Sequence, residues 1–309
     1  MLHPSSQTKG PVWFHSEEKN LSREEIAQAI RTEVDHRIIE ENMDIPMLPM
    51  IAAEALSLIK NPKAGIDDVS TLIGKDQYMA GRLIQIANSP LYRNMYEVTN
   101  ILRAVSLIGL RGVTELIFSL SIKGSIFKNE VFADRMSRLW QHSIGCAFLA
   151  QEIGRKHGGS ADNNFLIGLL HDIGKPLIVD TIAKMTERHP EKYPREMVDE
   201  DLVEGIMTKF HVRVGGLIGN KWAFPENLLV AIANHHNPFK DGIVNQGALL
   251  AGIADLFCHQ LGLGDEPNGK DLSGHPWIQA LKITPEEYKD IETNLAGNAK
   301  MIVTNVFSI

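Results

Sequence analysis

Phe165-Leu166-Ile167-Gly168-Leu169-Leu170 runs directly into His171-Asp172-Ile173-Gly174-Lys175. An apolar helical run that ends in an imidazole and a carboxylate sets both groups at the floor of a pocket. Imidazole nitrogen and carboxylate oxygen together suit borderline divalent metals such as iron, manganese, zinc or nickel. The carboxylate is also able to bridge two ions. For a lone doublet, a buried His-Asp hydrogen bond that fixes one tautomer is the simpler reading. This doublet is not alone. His142 precedes it; His211, the pair His235-His236 and Asp255 follow. A helix C-terminus, where the His235-His236 pair is expected, carries partial negative charge and favours a nearby cation.

Outward from this stretch the pattern is helical throughout. Ser22-Arg23-Glu24-Glu25 is a capping box, and Ile26, Ile30, Val34 and Ile38 follow at four-residue spacing. Pro46 and Pro49 interrupt the next stretch, and a run through Ile51, Ala55, Leu58 and Ile59 stops near Asn61-Pro62. Further helices are expected over about 66–74, 76–87, 100–108 and 111–122. A long helix over about 131–156 should close at Gly158-Gly159. Residues 186–200, with Pro190 and Pro194, are expected as a surface connection. Pro225 should open a helix ending at His235-His236. The helix over 246–261 should stop at Gly262, and a loop over 262–275 should lead to a final helix capped by Thr284. No sustained period-two alternation is present, so no sheet is expected.

Composition excludes several classes. Among 309 residues, 31 basic and 38 acidic side chains give a net charge of −7, and 44% hydrophobic content supports a sizeable core. The first 130 residues hold 14 basic and 16 acidic groups and the rest hold 17 and 22, so neither part offers the basic face that nucleic acid requires. No apolar run approaches the ~18 residues of a membrane span. The N-terminus lacks the basic and apolar regions of a signal peptide, which with two cysteines leads to the expectation of a cytoplasmic protein. Twelve histidines beside Cys146 and Cys258 alone point to a nitrogen–oxygen metal site rather than a thiolate zinc site. Cys146, one turn after His142 on the same helical face, is within reach of the site but is read first as a small core residue; His259, one turn after Asp255, is read first as a plain surface or core residue, with a partner of Asp255 as the alternative. Trp13 and Phe14 could pin an otherwise irregular N-terminal arm.

The order His…His-Asp…His…His-His…Asp resembles the HD superfamily of metal-dependent phosphohydrolases, and Gly168-Leu169-Leu170-His171-Asp172-Ile173-Gly174-Lys175 is similar to its central motif. The N-terminal part narrows the likeness. Ile45-Pro46-Met47-Leu48-Pro49, the stretch from Leu83 through Asn88-Ser89-Pro90-Leu91-Tyr92, Ala104 to Val113, and Phe210-His211 through Gly215 to Trp222 and Pro225 resemble the HDOD module, an HD-related output domain of bacterial signalling proteins. The likeness covers about 43–257. Gln77 stands where the family usually has proline, a departure that affects a helix start.

The resemblance implies an all-α fold: an N-terminal helical block over 1–130 with an irregular arm over 1–20, then an HD-like helical domain over 131–309 with a C-terminal helix, forming one HDOD module. It implies His142, His171, Asp172, His211, His235, His236 and Asp255 as metal ligands for a divalent metal, two ions in all. In an enzyme, Asp172 and Lys175 would be the catalytic pair, though Lys175 near a helix end is read equally well as structural. HDOD modules commonly lack part of this ligand set and are mostly regarded as regulatory; this chain keeps every position. Two readings follow. The first is a signal-transduction protein that binds a signalling partner or a small phosphorylated ligand; the second is a metal-dependent phosphodiesterase or phosphatase. Likeness to the HD-GYP phosphodiesterases is partial, because Ile243-Val244-Asn245 and Arg138 replace residues of that group. Neither nucleic acid nor a membrane is an expected partner.

Overall fold

The computed structural model describes residues 22–89, 92, 97–157, 163–240 and 242–306. The N-terminal arm with Trp13 and Phe14, Gly158-Gly159, Pro90-Leu91 and Asp241 lie outside the described residues. The first helices are α1 (Arg23–Ile39), α2 (Met50–Lys60), α3 (Ile66–Gly74), α4 (Gln77–Ala87), α5 (Ile101–Ile108) and α6 (Leu110–Ile126). The second run is α7 (Ala133–His157), α8 (Asn164–Leu170), α9 (Gly174–Arg188), α10 (Glu200–Lys221), α11 (Glu226–Asn234) and α12 (Gln246–Leu261). Short helices α13 (Pro276–Ala280) and α14 (Pro285–Asp290) precede a π turn over Ile291–Leu295 and α15 (Ala296–Val306).

The local signals explain most boundaries. Ser22 caps α1 by accepting from the Glu25 amide at 3.3 Å, while Glu25 accepts from the Ser22 amide at 2.8 Å. Asp76 accepts from the Tyr78 amide at 2.8 Å, so α4 starts soundly with Gln77 in the place of proline. Asn88 accepts from the Val98 amide and donates to the Val98 carbonyl, tying the chain across the segment after α4. Thr284 accepts from the Glu287 amide at 3.3 Å and Glu287 accepts in return at 3.0 Å. Thr284→Ala should therefore lower stability by about 1 kcal/mol, read as a shifted denaturant midpoint with an unchanged slope.

Two features differ from expectation. A two-stranded antiparallel ribbon, β1 (Phe239–Lys240) with β2 (Ile243–Val244), follows α11 where no sheet is expected. Its strands are two residues long, and Gly242 at φ 77° supplies the turn between them, so no alternation could reveal it. The connection expected over 186–200 is not purely superficial either. α9 runs to Arg188, and Tyr193 and Val198 are buried.

One apolar cluster runs from Ile26 on α1 to Val303 on α15 and takes in Leu116 and Phe118 of α6 and Phe148 of α7. Although first in the chain, α1 packs against α9 and α10, whereas α2 packs on α6. A second cluster joins the back of α7 to α12 and to the C-terminal segment through Ile253, Phe257 and Tyr288. α7 thus lies between two cores, with α8 against one flank and α12 against another. Among the described residues no single helix is long and apolar enough to cross a membrane.

Candidate metal centre

Two glycines allow the approach that forms the site. A Cβ on Gly168 would lie 2.2 Å from the Cys146 carbonyl oxygen, so only glycine lets α8 settle onto α7. A Cβ on Gly174 would lie 2.0 Å from the His211 carbonyl oxygen, so only glycine lets the start of α9 meet α10. Between them, the turn from α8 to α9 carries His171 and Asp172. His142 comes from α7, His211 from α10, His235 and His236 from the end of α11, and Asp255 from α12. All seven positions singled out in the sequence converge here, with Lys175 beside them.

Asp172 sits at the centre, 4% exposed, and its two oxygens face different groups. Oδ2 lies 3.4 Å from His171 Nε2, 3.8 Å from His142 Nε2 and 2.5 Å from Lys175 Nζ. Oδ1 lies 3.3 Å from His211 Nε2 and 3.6 Å from His235 Nε2. Asp255 Oδ1 closes the first group, 3.1 Å from His142 Nε2 and 3.6 Å from His171 Nε2. His236 Nε2 closes the second, 2.9 Å from His211 Nε2. The donors fall into two sets, His142, Cys146, His171 and Asp255 against His211, His235 and His236, with Asp172 between them.

The tautomers follow from backbone carbonyls, which only accept. His171 Nδ1 donates to Gly168 O, His211 Nδ1 to Met207 O and His235 Nδ1 to Ile232 O, each at 2.8 Å. In the neutral rings each Nε2 is then a lone pair aimed at the centre. His171 Nε2 faces carboxylate oxygens of Asp172 and Asp255. His235 Nε2 faces the lone pair of His211 Nε2 at 3.4 Å and Asp172 Oδ1. His171 Nε2, both Asp172 oxygens and Asp255 Oδ1 make no well-directed hydrogen bond, although Lys175 Nζ stands close to Asp172. Buried acceptors crowded around acceptors are costly unless a cation sits among them. The donor set therefore fits one or two divalent ions, and a backbone carbonyl orients three of its histidines.

Protonation divides along the same line. Burial opposes charge on Asp172, but Lys175 and His171 beside it hold its carboxyl well below the usual range. Burial likewise opposes a proton on His171, yet Asp172 holds its pKa well above the ordinary value. Burial lowers His211, and burial with repulsion from His235 and His211 brings His236 down to about 4. In the absence of a cation the Asp255 side attracts a proton, while His211 and His236 stay neutral.

A cleft of about 250 Å³ opens onto the centre between Lys175, His211, His236, Asp255 and His259. Its rim carries Arg138, Glu204 and Asp265. Arg135 is held by Glu200 and by Glu204 at 2.7 Å. Arg138 lies 3.4 Å from Glu200 and 4.0 Å from Asp265. Two residues for which the sequence favours the plainer reading over a place beside the site also stand at the centre. His259 is no plain surface residue, because its Nε2 lies 3.3 Å from Asp255 Oδ1. Cys146 Sγ lies 3.4 Å from His142 Nε2. Helical spacing alone, i to i+4 from Asp255 and from His142, was the signal for both.

A helical body with this ordered imidazole–carboxylate centre defines a protein of the HD class. Within that class the HDOD domain family matches residues 45–238, more than half of the chain, and the chain belongs to the HDOD family. Solved structures share the fold. An HDOD domain protein with unknown function from Geobacter sulfurreducens superposes with a TM-score of 0.68 at 24% identity, covering 91% of this chain and 98% of that one. A protein named "Putative metal-dependent phosphohydrolase" from Shewanella amazonensis SB2B gives 0.65 at 20% identity, covering 91% and 99%. One named "Putative signal transduction protein" from Marinobacter aquaeolei VT8 gives 0.65 at 19%, covering 93% and 68%. An uncharacterized protein of Treponema pallidum (strain Nichols) is 24% identical over 229 residues, which span 72% of this chain and 44% of that protein.

Proposed function

We propose that this chain is a signal-transduction HDOD protein whose centre holds two divalent ions and hydrolyses a phosphoester. The observation that carries the reading is the open side of the centre. A structural metal site closes its coordination with protein ligands, whereas a catalytic one keeps a position open to solvent. Here the cleft reaches His211, His236 and Asp255 directly.

A divalent pair, when bound, supplies acidified water and charge for a phosphoryl oxygen. The chain's own residues would do the rest. His142, His171 and Asp255 would hold one ion, His211, His235 and His236 the other, and Asp172 would serve both through its separate oxygens. Lys175 anchors Asp172 and lies on the cleft wall, where its ammonium adds a compact positive charge for an anionic substrate. His259 steadies Asp255 from the cleft side.

A second reading, ligand binding without turnover, draws on the rim. Glu204 and Asp265 place negative charge at the mouth, and Glu200, Glu204 and Asp265 engage Arg135 and Arg138. That arrangement weakens attraction for a phosphate from solution.

Metal analysis decides first. Protein purified without chelator should carry iron, manganese, zinc or nickel at two ions per chain. Chelation should lower the melting temperature, since a ligand at a thousandfold excess over its Kd stabilises by roughly 4 kcal/mol. Metal-free protein whose melting temperature ignores chelator and added metal would remove the metal reading. A screen of phosphomonoesters and cyclic and linear phosphodiesters across those metals then separates turnover from binding. Full metal occupancy with no hydrolysis of any substrate would favour the regulatory reading.

A further inference from the structure

Cys146 is 0% exposed and lies one helical turn after His142 on α7. Its sulfur is 3.4 Å from His142 Nε2, and the donor atoms of Cys146, His142, His171 and Asp255 all lie within 4.8 Å of one another. Sulfur therefore shares a donor pocket with nitrogen and oxygen atoms that lack well-directed partners, among them the fully buried His171 Nε2. The other cysteine is not one of these donors. Cys258 lies against Cys146 and its Sγ faces the His142 carbonyl oxygen at 4.0 Å, but it is absent from the converging set.

We infer that Cys146 is a thiolate ligand of the ion held by His142, His171 and Asp255, so that the two halves of the centre differ in softness. The inference rests on the metal reading above and adds a ligand to it. As the metal–sulfur bond forms, the Sγ–H bond breaks and its proton leaves to solvent, so the electron pair stays on sulfur. Thiolate favours zinc and other softer ions, whereas the three-histidine half with Asp172 offers only nitrogen and oxygen. One chain would then select two different metals, the softer beside α7 and the harder beside α10.

Cobalt(II) is the probe. Cobalt-loaded wild-type protein should show an intense near-ultraviolet sulfur-to-cobalt charge-transfer band. Cys258→Ser should keep it, and Cys146→Ser should lose it while retaining the visible cobalt bands from the remaining ligands. Circular dichroism checks that each variant folds. Zinc-edge X-ray absorption on the wild type needs no substitution and should detect a sulfur neighbour. Fully loaded wild-type protein with neither the band nor sulfur scattering would overturn the thiolate ligand and leave the metal centre standing. A wild type that binds neither cobalt nor zinc would overturn both.

Discussion

Asp172→Ala should empty both halves of the centre together. Oδ1 of this side chain faces His211 and His235, and Oδ2 faces His171, His142 and Lys175. Loss of the carboxylate removes a ligand from each ion and the negative charge that lets two cations lie close. Partners that only orient a ligand commonly change metal affinity by 10–100-fold, so a shared direct ligand should cost more than about 100-fold at each half. Phosphoester turnover, if the hydrolytic reading holds, should fall to background. The metal-free variant should also be less stable, by roughly 3 kcal/mol, because Lys175 is left in a largely buried place without its carboxylate. Asp172→Asn keeps the shape and separates the effects: it should fold closer to wild type yet still fail to retain metal. The measurements are metal content after dialysis, and melting with and without added zinc or manganese. Retention of one ion in full would show that Asp172 serves only one half.

Gly174→Ala should damage the fold and the centre at the same time. The new methyl would lie 2.0 Å from the His211 carbonyl oxygen and 2.7 Å from the Gly215 amide nitrogen. Both are backbone atoms, so no side-chain rotation relieves the overlap, and α9 must move off α10. Overpacking typically costs 1–3 kcal/mol, and a backbone clash places this variant at or above about 3 kcal/mol. The displaced helix starts two residues after Asp172, and the displaced carbonyl belongs to His211, so metal at the three-histidine half should weaken too. Gly216→Ala on α10 is the control. Nothing lies within 4 Å of its added Cβ, and alanine should stabilise that helix by roughly 0.5–1 kcal/mol. Denaturant unfolding of the two variants should therefore shift in opposite directions. Equal midpoints would show that the α9–α10 approach tolerates a side chain.

The helices were largely legible because their signals are local. Ser22, Asp76, Asn245 and Thr284 each cap the helix that follows with a side-chain oxygen, and these residue types at helix starts are readable without any neighbour in space. The β1–β2 ribbon was not legible: two residues per strand leave no period to detect. Nor was the packing of α1 on α9 and α10, since its apolar stripe states that it must be covered and not by what.

The sequence by itself determined the all-helical class and an ordered set of imidazoles and carboxylates, through spacing, caps and a His-Asp doublet at the end of an apolar run. Only the tertiary structure decided that Asp172 stands between two donor groups, that backbone carbonyls turn three Nε2 lone pairs inward, and that Cys146 and His259 join the site. The physical reason is range. Helix periodicity and capping act within a few residues, whereas ligand convergence depends on helices brought together by Gly168 and Gly174 across contacts far apart in the chain.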